Sequence, residues 1–224
     1  MKIRYAPLAV ACAWAMTVAA TAQAAPITYT FGGTLDSVDA ALSPLAAGDT
    51  FTGTLSIEST APNVGDPGFP DTGVYSAGYS MNVTVHGYTY FSSDGEVSVH
   101  HGGIYSDSFA AVNKFGVYGV GTPPTGPSLG LFQPSGFALL FSSNSSNLFS
   151  STALPSNLAL SSFDEPSVFP MAFRDANSQD FAGGQGTLTS FTQVTAAPVP
   201  EASTSAMLAL GLGALAFVRR RQAS

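Results

Sequence analysis

Apolar and polar residues alternate with a period of two along most of residues 26–195, and that period is the signature of half-buried strands. Ile27, Tyr29 and Phe31 alternate with threonine, and Phe51, Leu55 and Ile57 alternate with Thr52, Thr54 and Ser56. The clearest run is Tyr79, Met81, Val83 and Val85, interleaved with Ser80, Asn82, Thr84 and His86. Val97 and Val99 open a short run after Ser93-Asp94-Gly95. Phe169, Met171 and Phe173 continue the pattern, and residues 188–194 end it on a Thr-rich stretch. The segments 115–120 and 137–141 are continuous apolar runs, which suits central strands buried on both faces. Residues 157–163 come nearest to a helical period but are too short to decide. Gly32-Gly33, Ala47-Gly48-Asp49, the Pro- and Gly-rich stretch 65–68, His101-Gly102-Gly103 and Gly183-Gly184 read as turns. Many short antiparallel strands must dispose of their edges, so the pattern predicts an all-β antiparallel β-sandwich or jelly roll over residues 25–196. Gly-Thr-Leu recurs at 33–35, 53–55 and 186–188. It is far too short to argue duplication and reads as a set of similar strand starts.

Composition agrees with strands and turns. Charged residues make up 9% of the 224-residue chain, against about 25% in an average soluble protein. Of the 14 acidic side chains 13 lie in residues 25–200, where Lys114 and Arg174 are the only Lys or Arg, for a net charge of −11. A body so acidic repels phosphate backbones, which excludes nucleic acid as a partner. The one cysteine, Cys12, lies outside this region, so the body has no disulfide and no thiolate metal site.

Both ends carry different information. Lys2 and Arg4 precede an apolar run over residues 6–20, and Ala22-Gln23-Ala24 supplies the small-x-small pattern that signal peptidase accepts. Residues 1–24 read as a signal peptide cleaved between Ala24 and Ala25. The run is short for a retained span, which needs about 20 residues. Cys12 lacks the upstream leucine expected at a lipidation site.

At the other end, Pro198-Val199-Pro200-Glu201-Ala202-Ser203-Thr204 precedes an uncharged run without proline over residues 206–218, and Arg219, Arg220 and Arg221 close it. As a helix the run would be about 20 Å long, or about 26 Å if begun at Ala202. A 202–218 transmembrane helix is therefore short but able to cross a thinned bilayer. The arginines favour a cytoplasmic C-terminus, which leaves the body outside the inner membrane.

Val199, Pro200, Glu201 and Ala202, the Gly-containing apolar run and the arginine cluster together resemble the PEP-CTERM sorting signal, here spanning residues 197–224. Ala202 stands where a second proline is usual. The resemblance implies processing near the Pro-Glu motif by an exosortase, a membrane enzyme with a catalytic cysteine. Residues 53–57 ahead of an acidic loop, and residues 173–175 ahead of a Gly-rich turn and residues 186–190, are also similar to the bodies of such proteins. The resemblance brings no catalytic residue with it.

Candidate chemistry in the body is thin. His100 and His101 are adjacent, so on a strand they face opposite sides and do not chelate together. His86 shares the polar face of its strand with Asn82 and Thr84. Asp66 and Asp71 flank a Gly-rich loop that offers carboxylates and carbonyls to Ca2+, but the spacing fits no EF-hand and turn formation explains both residues. The pairs Asp94/Glu96 and Asp164/Glu165 read as solvated loop charges before they read as a glycosidase pair. No nucleophile elbow, zinc-protease helix, P-loop or dinucleotide fingerprint occurs, so no catalytic residue, metal or cofactor is expected. Two classes remain. One is a structural surface or matrix protein with exopolysaccharide as a candidate partner. The other is a carbohydrate-active enzyme or glycan-binding module on a jelly-roll scaffold. Trp14 falls in the signal peptide, so sugar stacking would rest on Tyr75, Tyr79, Tyr88, Tyr90, Tyr105 and Tyr118 or on phenylalanines.

Overall fold

Tyr29 and Phe31 point one way from the first strand while Thr28 and Thr30 point the other, and this alternation repeats through the sheet. The computed structural model describes residues 26–102, 106–155 and 157–194. Ten strands form a single antiparallel sheet. In chain order they are β1 (Pro26–Val38), β2 (Thr50–Glu58), β3 (Thr72–Tyr75), β4 (Ser80–Val85), β5 (Tyr88–Ser92), β6 (Gly95–His100), β7 (Asp107–Asn113), β8 (Phe132–Ser143), β9 (Val168–Asp175) and β10 (Phe181–Val194). Their spatial order is β3-β6-β7-β8-β9-β10-β1-β2-β4-β5. The all-β antiparallel expectation is met, with one refinement. The two layers are halves of one sheet that curls on itself.

The halves meet across an aromatic core. Tyr90 on β5 lies 5.3 Å from Phe137 on β8 and 5.5 Å from Phe173 on β9, ring to ring. Phe51 on β2 packs 4.5 Å from Phe169 on β9, and Tyr29 stacks 4.7 Å from Phe191 on β10. Ten of the fifteen phenylalanines among the described residues are buried here. At about 25 cal/mol per Å2, rings of this size supply the main driving force of a body that has no disulfide. Both edge strands are engaged at one residue each. The Val74 N–H of β3 donates to Asn63 Oδ1, and Phe91 of β5 exchanges backbone hydrogen bonds with Thr125. Such contacts interrupt the row of free backbone groups that an edge strand offers another chain.

Three expectations change. Residues 115–120 are not a strand: Lys114–Tyr118 forms a short helix, α1. Asn113 caps it by accepting the Gly116 N–H (3.0 Å), and Gly119 ends it at φ 66°. A cap at one end and a left-handed glycine at the other outweigh the apolar run. Residues 137–141 do lie in central β8, where Phe137, Leu139 and Phe141 face the core. Its other face is only partly covered, with Leu140 37% exposed. Residues 157–163 contain a single 3-10 turn, Leu160–Ser162.

Gly32-Gly33 and Gly183-Gly184 lie inside β1 and β10, not at turns. The reason is steric. A Cβ on Gly33 would stand 2.1 Å from the Thr187 carbonyl oxygen and 2.5 Å from the Phe51 ring. Gly53 would meet Phe31 at 2.3 Å, and Gly186 would meet Phe51 at 2.6 Å. All three Gly-Thr-Leu glycines are seats for a phenylalanine ring. The recurrence reflects that packing need, since a glycine within a strand marks close approach.

Candidate functional site

The body hands the chain to its sorting tail through its last strand. β10 pairs with β1 along most of its length, with Thr28 opposite Val194. The two ends of the body, Pro26 and Val194, therefore leave the same end of two neighbouring central strands. Five residues separate Val194 from Pro200, so this stretch reaches at most about 20 Å. The cleavage pair Ala24/Ala25, the motif residues Val199, Pro200, Glu201 and Ala202, the 202–218 helix and Arg219, Arg220 and Arg221 lie outside the described residues.

The histidines go to separate partners. His86 is not on the strand face; it occupies the β4–β5 turn at φ 49°, with Nδ1 3.1 Å from Asp49 Oδ2. The Ala46 N–H and His86 hold the Asp49 carboxyl below the usual carboxylate range. His100 Nδ1 lies 2.9 Å from Thr72 Oγ1, and His101 Nδ1 lies 3.3 Å from Asp107 Oδ1.

The acids named from sequence have separate partners: the Asp66 carboxylate holds a turn, Asp71 bonds through its backbone carbonyl, and Asp94, Asp164 and Glu165 tie distant loops. Asp66 Oδ1 accepts the Gly68 N–H (2.8 Å), and the Asp71 carbonyl accepts the His101 N–H (3.0 Å). Among the described residues no group of three or more His, Cys, Asp or Glu stands ready to hold a metal ion. Asp94 Oδ2 accepts the Thr122 N–H, Asp164 Oδ1 accepts the Asn144 N–H, and Glu165 bonds the Asn144 amide. Glu96 sits on β6. Of the tyrosines, Tyr75, Tyr79 and Tyr90 are core residues, while Tyr88 is half-buried beside His86. Tyr105 and the Tyr118 side chain lie outside the described residues.

Two residues that sequence reasoning passed over stand out. Asp107, fully buried, accepts the N–H groups of Phe149 (2.7 Å) and Gly102 (2.8 Å) beside His101. Burial pushes its carboxyl up, but those two donors and His101 outweigh it and hold it below the usual range. A lone aspartate at a strand start gives no sequence sign of that role. The second is Arg174, which lines a cavity of about 230 Å3 with Gln133, Ser135, Asp175 and Gln179. Its guanidinium stands 5.5 Å from the centre of the Phe181 ring. Its Nε is buried without a hydrogen-bond partner, and so is the Ser135 hydroxyl.

Comparison with known proteins locates the assigned function in the tail. No curated protein and no solved structure matches the chain. Residues 198–222 match the PEP-CTERM protein-sorting motif, 25 residues that include Pro200, Glu201 and all three arginines. The chain carries a PEP-CTERM protein-sorting motif at residues 198–222, which supports an exported protein sorted by an exosortase.

Proposed function

We propose that the β body is a non-catalytic structural domain, carried by its sorting tail to the cell surface or extracellular matrix, where it sits among exopolysaccharide. In this reading signal peptidase cuts between Ala24 and Ala25, the 202–218 segment holds the chain in the inner membrane with the body outside, and exosortase then processes the tail. The observation that carries the non-catalytic reading is how the carboxylates are engaged. Asp94 and Asp164 accept backbone N–H groups and Glu165 bonds the Asn144 amide. Each of these acids is taken up by bonds between loops, and backbone and side-chain donors hold the Asp164 carboxyl below the usual range, whereas a glycosidase needs one carboxyl held protonated opposite a second across the scissile bond. A body made stable by buried rings, with few charges, suits a static surface role.

The test is fractionation with an activity screen. The protein purified from a native host should co-fractionate with surface or matrix material and release no reducing sugar from a panel of neutral and acidic polysaccharides. Turnover above a heat-denatured control would overturn the non-catalytic reading. Retention of the body in the cytoplasm would overturn the export route.

A further inference from the structure

Arg174 is one of only two Lys or Arg residues in a body that carries 13 acids, yet among the described residues no carboxylate pairs with it. Its neighbour Asp175 is engaged elsewhere, accepting the N–H groups of Asn177 (2.7 Å) and Ser178 (3.0 Å) through Oδ1. No hydrogen bond from the guanidinium to a described residue is made, and its Nε is shut off from solvent. Leaving a guanidinium half-buried and unpaired costs free energy, and structures keep such groups where something else completes them.

The surroundings define what would do so. Gln133 and Phe181 flank Arg174 across the sheet as its register partners on β8 and β10. The Phe181 ring is 67% exposed and holds the guanidinium from one side. Ser135 brings a buried hydroxyl with no partner. Gln179 sits at φ 68°, a left-handed conformation that costs a non-glycine residue energy, and its Nε2 donates to the Ala176 carbonyl, so the amide oxygen stays available. The cavity of about 230 Å3 therefore offers one planar cation, two amides and one hydroxyl, with the Asp175 carboxylate on its wall already held by Asn177 and Ser178 and the exposed Phe181 ring beside the guanidinium at its rim.

We propose that this cavity binds the carboxylate of a sugar acid, a hexuronate unit. The planar guanidinium fork matches a carboxylate through two parallel hydrogen bonds. Gln133, Gln179 and Ser135 take the sugar hydroxyls, and the Phe181 ring packs on the apolar face of the pyranose. A body with net charge −11 admits a monoanion more readily than a phosphate dianion. This deepens the proposed function, since it rests on that reading only for where the protein meets its ligand.

The experiment is titration of the full chain in detergent micelles with glucuronate, glucose and inorganic phosphate, followed by NMR or calorimetry. Glucuronate should bind with a Kd of about 1 mM, as expected for a ligand of this size. Glucose should bind at least about tenfold more weakly, and added salt should weaken glucuronate binding. Arg174→Gln should raise the glucuronate Kd about tenfold or more, and Arg174→Lys should give an intermediate value because the charge stays and the fork is lost. Thermal melts of both variants show whether the fold is kept, and Phe181→Ala, an exposed position, should weaken binding several-fold with the melt unchanged. Equal affinity for glucose and glucuronate, tighter binding of phosphate, or glucuronate binding unaffected by the Arg174 and Phe181 substitutions would each overturn the proposal. Co-fractionation with matrix that persists without glucuronate binding would remove this site and leave the structural reading standing.

Discussion

Replacing Asp107 tests the interior logic of the body most directly. Its carboxylate is fully buried and ties the start of β7 to two loops, through the N–H groups of Gly102 and Phe149 and through His101. Asp107→Ala would leave one buried backbone donor, the Phe149 N–H, and one part-buried donor, the Gly102 N–H, without acceptors. A buried donor so stranded costs about 1–3 kcal/mol and a part-buried one less, so the loss should be about 2–4 kcal/mol, a large share of a typical stability of about 5–15 kcal/mol. Asp107→Asn keeps one acceptor oxygen and turns an NH2 toward the other donor, for a loss of about 2–3 kcal/mol. The pH dependence follows from the sign of the shift. The folded carboxyl lies below its unfolded value of about 3.9. Its contribution is therefore fully present above that value and is lost as pH falls through the lower folded value. Urea unfolding of the wild type and the Asn variant at pH 7 and near pH 3 measures both effects. The gap between the two proteins should be wide at pH 7 and narrower at pH 3. A gap below about 0.5 kcal/mol at pH 7, or one that does not shrink in acid, would refute this account of the carboxylate.

Gly53→Ala should destabilise by about 1–3 kcal/mol or more, because the new methyl would stand 2.3 Å from both the Asn82 carbonyl oxygen and the Phe31 ring. Differential scanning calorimetry should show a Tm lower by about 3–10 °C, and an unchanged Tm would mean that the ring has room to move. A Ca2+ chelator should leave the Tm unaltered, since the Asp66 carboxylate already holds its turn through Gly68. A clear fall in Tm would instead assign the Asp66–Asp71 loop to calcium.

Strands were legible wherever one face is apolar and the other polar, as in β4, because a period of two has no other physical source. The errors fell where glycine or a cap competes with the pattern. Gly33 and Gly184 looked like turn residues, yet they sit within strands where the backbone or side chains of neighbouring residues come close. That requirement comes from residues far apart in sequence and leaves no local trace. Asn113 and Gly119 do carry a local signal, a cap and a stop around residues 114–118, which the apolar composition hides. The curl of the sheet was not legible, because period tells which face is buried and not what lies opposite it. Arg174 was visible as a rare cation, but its unpaired state depends on Asp175 turning to Asn177 and Ser178. The sorting motif was readable because it is a linear pattern of residue types, matched over residues 198–222.

The tail combines two jobs that mutation should separate. In the proposed route, residues 206–218 and Arg219, Arg220 and Arg221 hold the chain in the membrane with the cationic end inside, while Pro200 and Glu201 present the motif on the outer side. Glu201→Ala removes a recognition group and leaves the apolar run untouched, so an unprocessed membrane-bound form should accumulate. Neutralising all three arginines leaves Pro200 and Glu201 intact but weakens the topological bias, so unsorted protein should appear in the medium. Immunoblots of membrane and medium fractions from a native host, with mass spectrometry of the C-terminus, distinguish the two outcomes. Normal processing of the Glu201→Ala variant would reduce the segment to a plain membrane anchor, because insertion alone has no use for a carboxylate at that position.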